Sequence, residues 1–186
     1  MLKLIKLTFL FIILLTDAFE SQAQKSKSEK AFEMRDLYIL VGMWESNTTI
    51  TIDTIPHKVT YRMNFRQTAD GFGLNMDEAY SDSALGNLRA ANLIGFGNDD
   101  KKIHWYHVNS MGTTYERVGQ WLNSENLRFS YTGKQGEKTY NEVITYAFYG
   151  NDEFTYTQIA YLDAKQVKKI FGKFKRRLPT APKPNK

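Results

Sequence analysis

Three histidines, His57, His104 and His107, are the side chains with which this sequence could most readily hold a metal or a haem iron. His104 and His107 stand three residues apart in a segment of strand character, which sends their rings to opposite faces and keeps them from converging on one ion. His57 follows Pro56 at a strand start, where a solvated imidazole is the ordinary outcome. His107 shares its face with apolar Ile103 and Trp105, so it is the candidate should a haem be bound. Asn109-Ser110-Met111-Gly112 has the outline of a nucleophile elbow, but Val108 stands where that elbow needs glycine and no helix follows. The acid pairs Asp77-Glu78 and Asp99-Asp100 are adjacent, so on a strand they diverge and in a turn they are solvated. Gly71-x-Gly73 and Gly95-x-Gly97 lack the following helix and lysine of a phosphate cradle. No catalytic residue and no metal site is assigned, and the expectation is a protein that is not an enzyme.

The elements that would position any site are strands. From Gly42 onward, short segments rich in Val, Ile, Thr and aromatics alternate at period two between Gly, Asn and Asp punctuation. Strands are expected at Met43 to Thr54, around Val59 to Phe65, and at Leu74 to Tyr80, Leu88 to Gly97 and Ile103 to Asn109. Thr113 to Leu122, Asn126 to Tyr131, Thr139 to Tyr149 and Phe154 to Leu162 continue the series. Ile55-Pro56 is read as the first turn, because proline cannot donate to a central ladder. The cleanest alternation sets Val59, Tyr61, Met63 and Phe65 against Lys58, Thr60, Arg62, Asn64 and Arg66. In Val167 to Arg177, residues Val167, Ile170, Phe171 and Phe174 also fit the stripe of a basic helix on a membrane surface. The turn-like Asp163-Ala164-Lys165 and the glycine at 172 favour a strand. Short connections make neighbours antiparallel, and about ten such strands avoid exposed edges by closing on themselves. The expected fold is an all-β, up-and-down antiparallel barrel with a short N-terminal helix.

Residues 1–23 have the three parts of a secretory signal: Lys3 and Lys6, the apolar run Leu7 to Leu15, and the small-x-small site Ser21-Gln22-Ala23. The run is well short of the ~20 residues that span a bilayer. Cleavage would leave Gln24 first and no transmembrane segment. The chain has no cysteine, which removes disulfides, thiolate sites and the lipid-attachment point of a lipoprotein. A secreted or periplasmic protein is therefore expected, with a helical lead-in over 24–41, a barrel over 42–178 and a disordered basic tail over 179–186. The formal charge of +5 is unevenly placed: residues 24–164 are net acidic, whereas no acidic residue occurs from Lys165 onward. That distribution argues against a nucleic-acid-binding face.

Gly42-x-Trp44 on the first strand, the short meander, and Arg176 and Arg177 on the last resemble the lipocalin-like barrels of the calycin superfamily. The Gly71 to Met76 hairpin, Leu93-Ile94-Gly95-Phe96, the Trp105 to Gly112 segment and the arginine-terminated end look most like a family of exported bacterial proteins of unknown function. Lipocalins carry small hydrophobic molecules, and related barrels of the nitrobindin type bind haem, so the resemblance implies a small apolar or aromatic ligand. Tyr61, Met63, Phe65, Ile103, Trp105 and His107 are the in-pointing candidates to line its site. Barrel closure would bring a guanidinium of Arg176 or Arg177 over the Trp44 ring, with Gly42 beside it. The rival reading is a packed barrel that docks on an envelope partner through its basic C-terminal segment. Ligand identity, oligomeric state and the hollowness of the barrel are not written in the sequence.

Overall fold

The computed structural model describes residues 34–97 and 99–177. The leader, most of the lead-in and the basic tail lie outside the described residues. A helical turn from Met34 runs into a 3-10 turn, Leu37–Leu40; a second 3-10 turn, Ala69–Gly71, joins two strands, and the other elements among the described residues are strands. The ten strands are β1 Gly42–Ile52, β2 Ile55–Thr68, β3 Gly73–Asp82, β4 Gly86–Phe96, β5 Ile103–Asn109, β6 Thr114–Asn123, β7 Asn126–Gln135, β8 Lys138–Phe148, β9 Glu153–Leu162 and β10 Lys165–Arg176. Each pairs antiparallel with its sequence neighbours, and β1 pairs with β10, so the sheet is a closed barrel without a free edge.

Alternation decides the interior. On β2, Val59, Tyr61, Met63 and Phe65 are buried while Lys58, Thr60, Arg62 and Arg66 face out. Residues 165–176 form a strand, not a basic helix: Ile170, Gly172 and Phe174 point inward and Lys169, Lys173 and Lys175 outward. A bulge between Gln166 and Lys168 ends that phase.

Three expected connections differ. The first turn is Asp53-Thr54, both with positive φ (44° and 80°), and Pro56 lies inside β2 opposite Thr51. Proline is tolerated there because it sits at the very start of its strand. The connection between the strands expected at Leu74 to Tyr80 and Leu88 to Gly97 shrinks to residues 83–85, where Asp82 caps the turn by accepting from the amides of Ala84 and Leu85. The strand expected to end at Tyr131 runs on through Gly133, which pairs with Tyr140, to Gln135, so the connection to the next strand is shorter than expected.

The two ends of the barrel differ. At one, Leu37 and Leu40 of the lead-in lie over a packed floor of Trp44, Phe154, Phe174 and Phe148. Arg176 completes this end. Its guanidinium carbon is 4.2 Å from the centre of the Trp44 ring, and it donates to the carbonyls of Ile39, Val41 and Asn151. Gly42 is required beside it: φ is 131°, and a Cβ would lie 2.6 Å from an Arg176 nitrogen. Arg177 stays outside, paired with Glu45. Among the described residues the opposite end has no such cover, and Tyr115, Tyr131 and Tyr140 there are half-buried.

Candidate functional site

Above the aromatic floor, the inward phase of six strands delivers polar side chains. Glu78 follows Leu74 and Met76 on β3, Asn92 lies on β4, His107 on β5, Arg117 on β6, Glu142 on β8 and Gln158 on β9, and all are buried. They form two hydrogen-bonded groups joined through Arg117.

The first group centres on Asn92. Its Nδ2 donates to the Met76 carbonyl (2.9 Å), so Oδ1 must be the acceptor for both Trp105 Nε1 and His107 Nδ1, each at 2.7 Å. Asn109 Oδ1 accepts the amides of Met111 and Thr113, which leaves its Nδ2 to donate to His107 Nε2 (3.1 Å). These two amides fix the histidine tautomer: the proton is on Nδ1, and Nε2 accepts from Asn109. The nitrogen a haem iron would need already has a partner. Glu78 accepts from Tyr61 Oη at 2.7 Å and lies 3.4 Å from His107 Nδ1. Burial pushes its pKa up, but His107, Arg117 and Tyr61 together outweigh burial and hold it below the usual range.

The second group centres on Glu142, which accepts from Arg117 Nε at 2.6 Å, Tyr140 Oη at 2.9 Å and Gln158 Nε2. Gln158 in turn accepts from Tyr156 Oη. Burial opposes ionisation of Glu142, and the Arg117 charge and hydrogen bond prevail, keeping its pKa low. The guanidinium is held on every side but one. It is stacked between Trp105 and Tyr115, 4.3 and 4.7 Å from the ring centres, and Nη2 donates to Tyr115 Oη.

The exception is Arg117 Nη1, which is buried without a partner. Ser46 Oγ, Thr48 Oγ1 and Tyr146 Oη, also inward-facing, are likewise buried and unpartnered, as is Trp121 Nε1 beside Phe148 at the floor. Gly172 makes room for the first two, since a Cβ there would come within 2.8 Å of Ser46 Oγ and closer still to Thr48 Oγ1. Most other polar groups of the interior are matched, so the four unmatched ones of Arg117, Ser46, Thr48 and Tyr146 call for a polar counterpart. Towards the uncovered end, Tyr115 stacks on Tyr131 at 4.5 Å and Tyr131 neighbours Tyr140 at 6.2 Å, forming an aromatic collar.

All six residues named from sequence as lining candidates lie in the interior. Tyr61, Trp105 and His107 join the polar network, whereas Met63, Phe65 and Ile103 are packed core. His104 is on the outer face with Glu116 and Asp100, so the two nearby histidines diverge. Glu78, Asn92, Arg117, Glu142 and Gln158 were not singled out. The signal available for them is a polar residue in the apolar phase, as in Leu74-x-Met76-x-Glu78-x-Tyr80. Among the described residues, no group of three or more His, Cys, Asp or Glu is placed to hold a metal ion, and no helix is long and apolar enough to cross a membrane. Two grooves of about 590 and 910 Å³ lie on the outside, one across the outer faces of β1 to β5 and one beside the lead-in. We place the site inside, because four of the five unmatched buried atoms among the described residues are there; the fifth, Trp121 Nε1, borders the groove beside the lead-in.

No protein-family model matches the chain, and no curated protein matches its sequence. Among solved structures, the S-type phycobiliprotein lyase CPES from Guillardia theta superposes with a TM-score of 0.54 at 13% identity, over 83% of this chain and 98% of that one. The fold is a calycin-like barrel. The same likeness corrects the expectation of a protein that is not an enzyme. A barrel of this shape carries the name of a lyase, so neither the fold nor the lack of a sequence motif excludes catalysis.

Proposed function

We propose that the protein binds a small molecule within the barrel, entering by the tyrosine-lined end, with an apolar or aromatic body among the rings and a polar group against Arg117, Tyr146, Thr48 and Ser46. The observation that carries this reading is that the polar atoms of these four residues are buried without partners in an interior whose other polar groups are largely matched. A structural neighbour named as a phycobiliprotein lyase lends support, since a barrel of the same fold carries a name that ties it to a specific substrate protein. Haem is the less favoured ligand, because His107 Nε2 is engaged.

Conservative removal of the unpartnered hydroxyls tests the idea. Tyr146→Phe and Thr48→Val take away no hydrogen bond within the protein, so stability should hold or rise. Saturable binding of anilinonaphthalene sulfonate, followed by fluorescence, should weaken about five- to thirtyfold, corresponding to about 1 to 2 kcal/mol for a lost bond to a buried group. Titration with haemin runs alongside. A folded protein that binds neither probe would overturn the reading and leave the basic outer face of β10 as the functional surface.

We also propose that the chain is exported, in keeping with its resemblance to exported bacterial barrels. The basic start, the short apolar run and the Ser21-Gln22-Ala23 site support this. Mass spectrometry of the protein recovered from outside the cytoplasm should find Gln24 at the N-terminus. Recovery with Lys3 and Lys6 still attached would refute it.

A further inference from the structure

Lys168 is an interior group that the binding reading leaves unused. It continues the inward phase of Phe174, Gly172 and Ile170 on β10 and is the last residue to do so before the bulge. Its Cα partner on β9 is Ala160, which also pairs with Glu142, so lysine and glutamate are set on either side of one small residue. The side chain is partly exposed, and its ammonium lies within the field of Glu142 and Arg117. Among the described residues, Lys168 Nζ makes no hydrogen bond or ion pair. The nearest acid explains why, because Glu142 is already committed to Arg117, Tyr140 and Gln158.

We infer that Lys168 is a reactive amine at the barrel mouth that condenses reversibly with the carbonyl group of an aldehyde whose aromatic or conjugated body lies in the barrel. The amine lone pair attacks the carbonyl carbon and a C–N bond forms. Two protons pass from nitrogen to the carbonyl oxygen, water leaves, and an imine remains. No oxidant or reductant is consumed. The attacking species is the uncharged amine, and the surroundings favour it: burial lowers the lysine pKa, Arg117 adds to the effect, and Glu142 and Glu78 only partly oppose it. The collar of Tyr115, Tyr131 and Tyr140 lies at the same end and suits an aromatic body. Three other lysines of β10, Lys169, Lys173 and Lys175, are exposed on the outer face and serve as internal references.

This inference rests on the barrel interior being a binding site, and the experiment separates the two. The full mature chain is incubated with cinnamaldehyde and sodium cyanoborohydride near neutral pH, and the reduced adducts are located by peptide mapping over time. Lys168 should be labelled at least tenfold faster than Lys169 or Lys173, and Lys168→Arg should lose the fast adduct while still binding anilinonaphthalene sulfonate. Labelling of Lys168 no faster than the exposed lysines, with the sulfonate probe still bound, would overturn the amine and spare the binding site. Loss of both in the unmodified protein would overturn both. The rate comparison within the unmodified chain needs no variant, so a misfolded Lys168→Arg would not obscure the answer.

Discussion

Replacing Arg117 with methionine should lower the stability of the barrel by about 3 to 5 kcal/mol, the usual result of stranding one member of a buried ion pair. Arg117 and Glu142 are 3% and 1% exposed, so water cannot take the place of the missing partner. The arginine also neutralises Glu78 at longer range and fills the space between Trp105 and Tyr115. The loss should depend on pH in a direction that follows from the carboxylates. In the unmodified protein the folded-state pKa values of Glu78 and Glu142 lie below their ordinary values. Their ionisation therefore contributes stability that is present above the unfolded carboxylate pKa and is lost as pH falls through the lowered folded ones. Without Arg117, burial dominates at Glu142, its pKa rises, and acid relieves the buried charge by protonating it. Urea unfolding followed by far-UV circular dichroism should show the gap between variant and parent narrowing from pH 7 towards pH 4. The double change Arg117→Met with Glu142→Leu should recover much of the loss, because it removes both charges together. A single variant as stable as the parent at neutral pH would mean that the pair is solvated and the interior far wetter than its geometry implies.

Much of the barrel can be read from the sequence because β-structure writes its burial at period two. Val59-x-Tyr61-x-Met63-x-Phe65 needs only one assumption, a dry face, to place four residues correctly. The short connections then force antiparallel neighbours, and the strand count forces closure. The misplaced first turn shows the limit of residue-type punctuation. Asp53 and Thr54 take positive φ without a glycine, while the adjacent Pro56, the conspicuous turn former, sits harmlessly at a strand start. The site is harder to see for a different reason. Asp77 and Glu78 diverge as alternation requires, one pairing outside with Arg66 and the other buried against Tyr61 and His107. What alternation cannot reveal is that Glu78 would be matched inside. Arg117 and Glu142 are 25 residues apart on β6 and β8, which are not neighbours but face each other across β7. Their pairing depends on barrel curvature, which no local pattern encodes. The Asn92 fork and the tautomer of His107 depend likewise on three strands meeting, and on a turn that orients Asn109. Lys168 was legible in principle, as the last even-numbered position in an inward series, but the bulge at Val167 disguises it among the lysines that surround it.

Trp44→Ala should destabilise the protein by about 3 to 5 kcal/mol and loosen the lead-in from the barrel. The ring is 1% exposed, 4.7 Å from Phe154, and its Nε1 donates to the Leu40 carbonyl at 2.6 Å, so its removal opens a cavity and orphans a helix-end acceptor at once. Arg176 lies on the other face of the same arrangement. It ties the carbonyls of Ile39 and Val41 to the β8–β9 loop at Asn151 and Asp152, and so fastens the lead-in to the seam where β1 meets β10. Arg176→Leu removes these donors and the cation over the ring, and should cost about 2 to 3 kcal/mol, from one to two charge-assisted hydrogen bonds lost net of solvent rescue. Because part of each effect is the contact between the two residues, the double variant should be less destabilised than the sum by about 0.5 to 2 kcal/mol, the range for a cation over an aromatic ring. Urea unfolding of the four proteins gives that coupling. Amide exchange of Leu37 to Leu40 should accelerate in both single variants if the lead-in is held by this seam. Additive losses, with lead-in exchange unchanged, would show that the tryptophan serves only as filling for the floor and that closure of the barrel does not depend on the arginine above it.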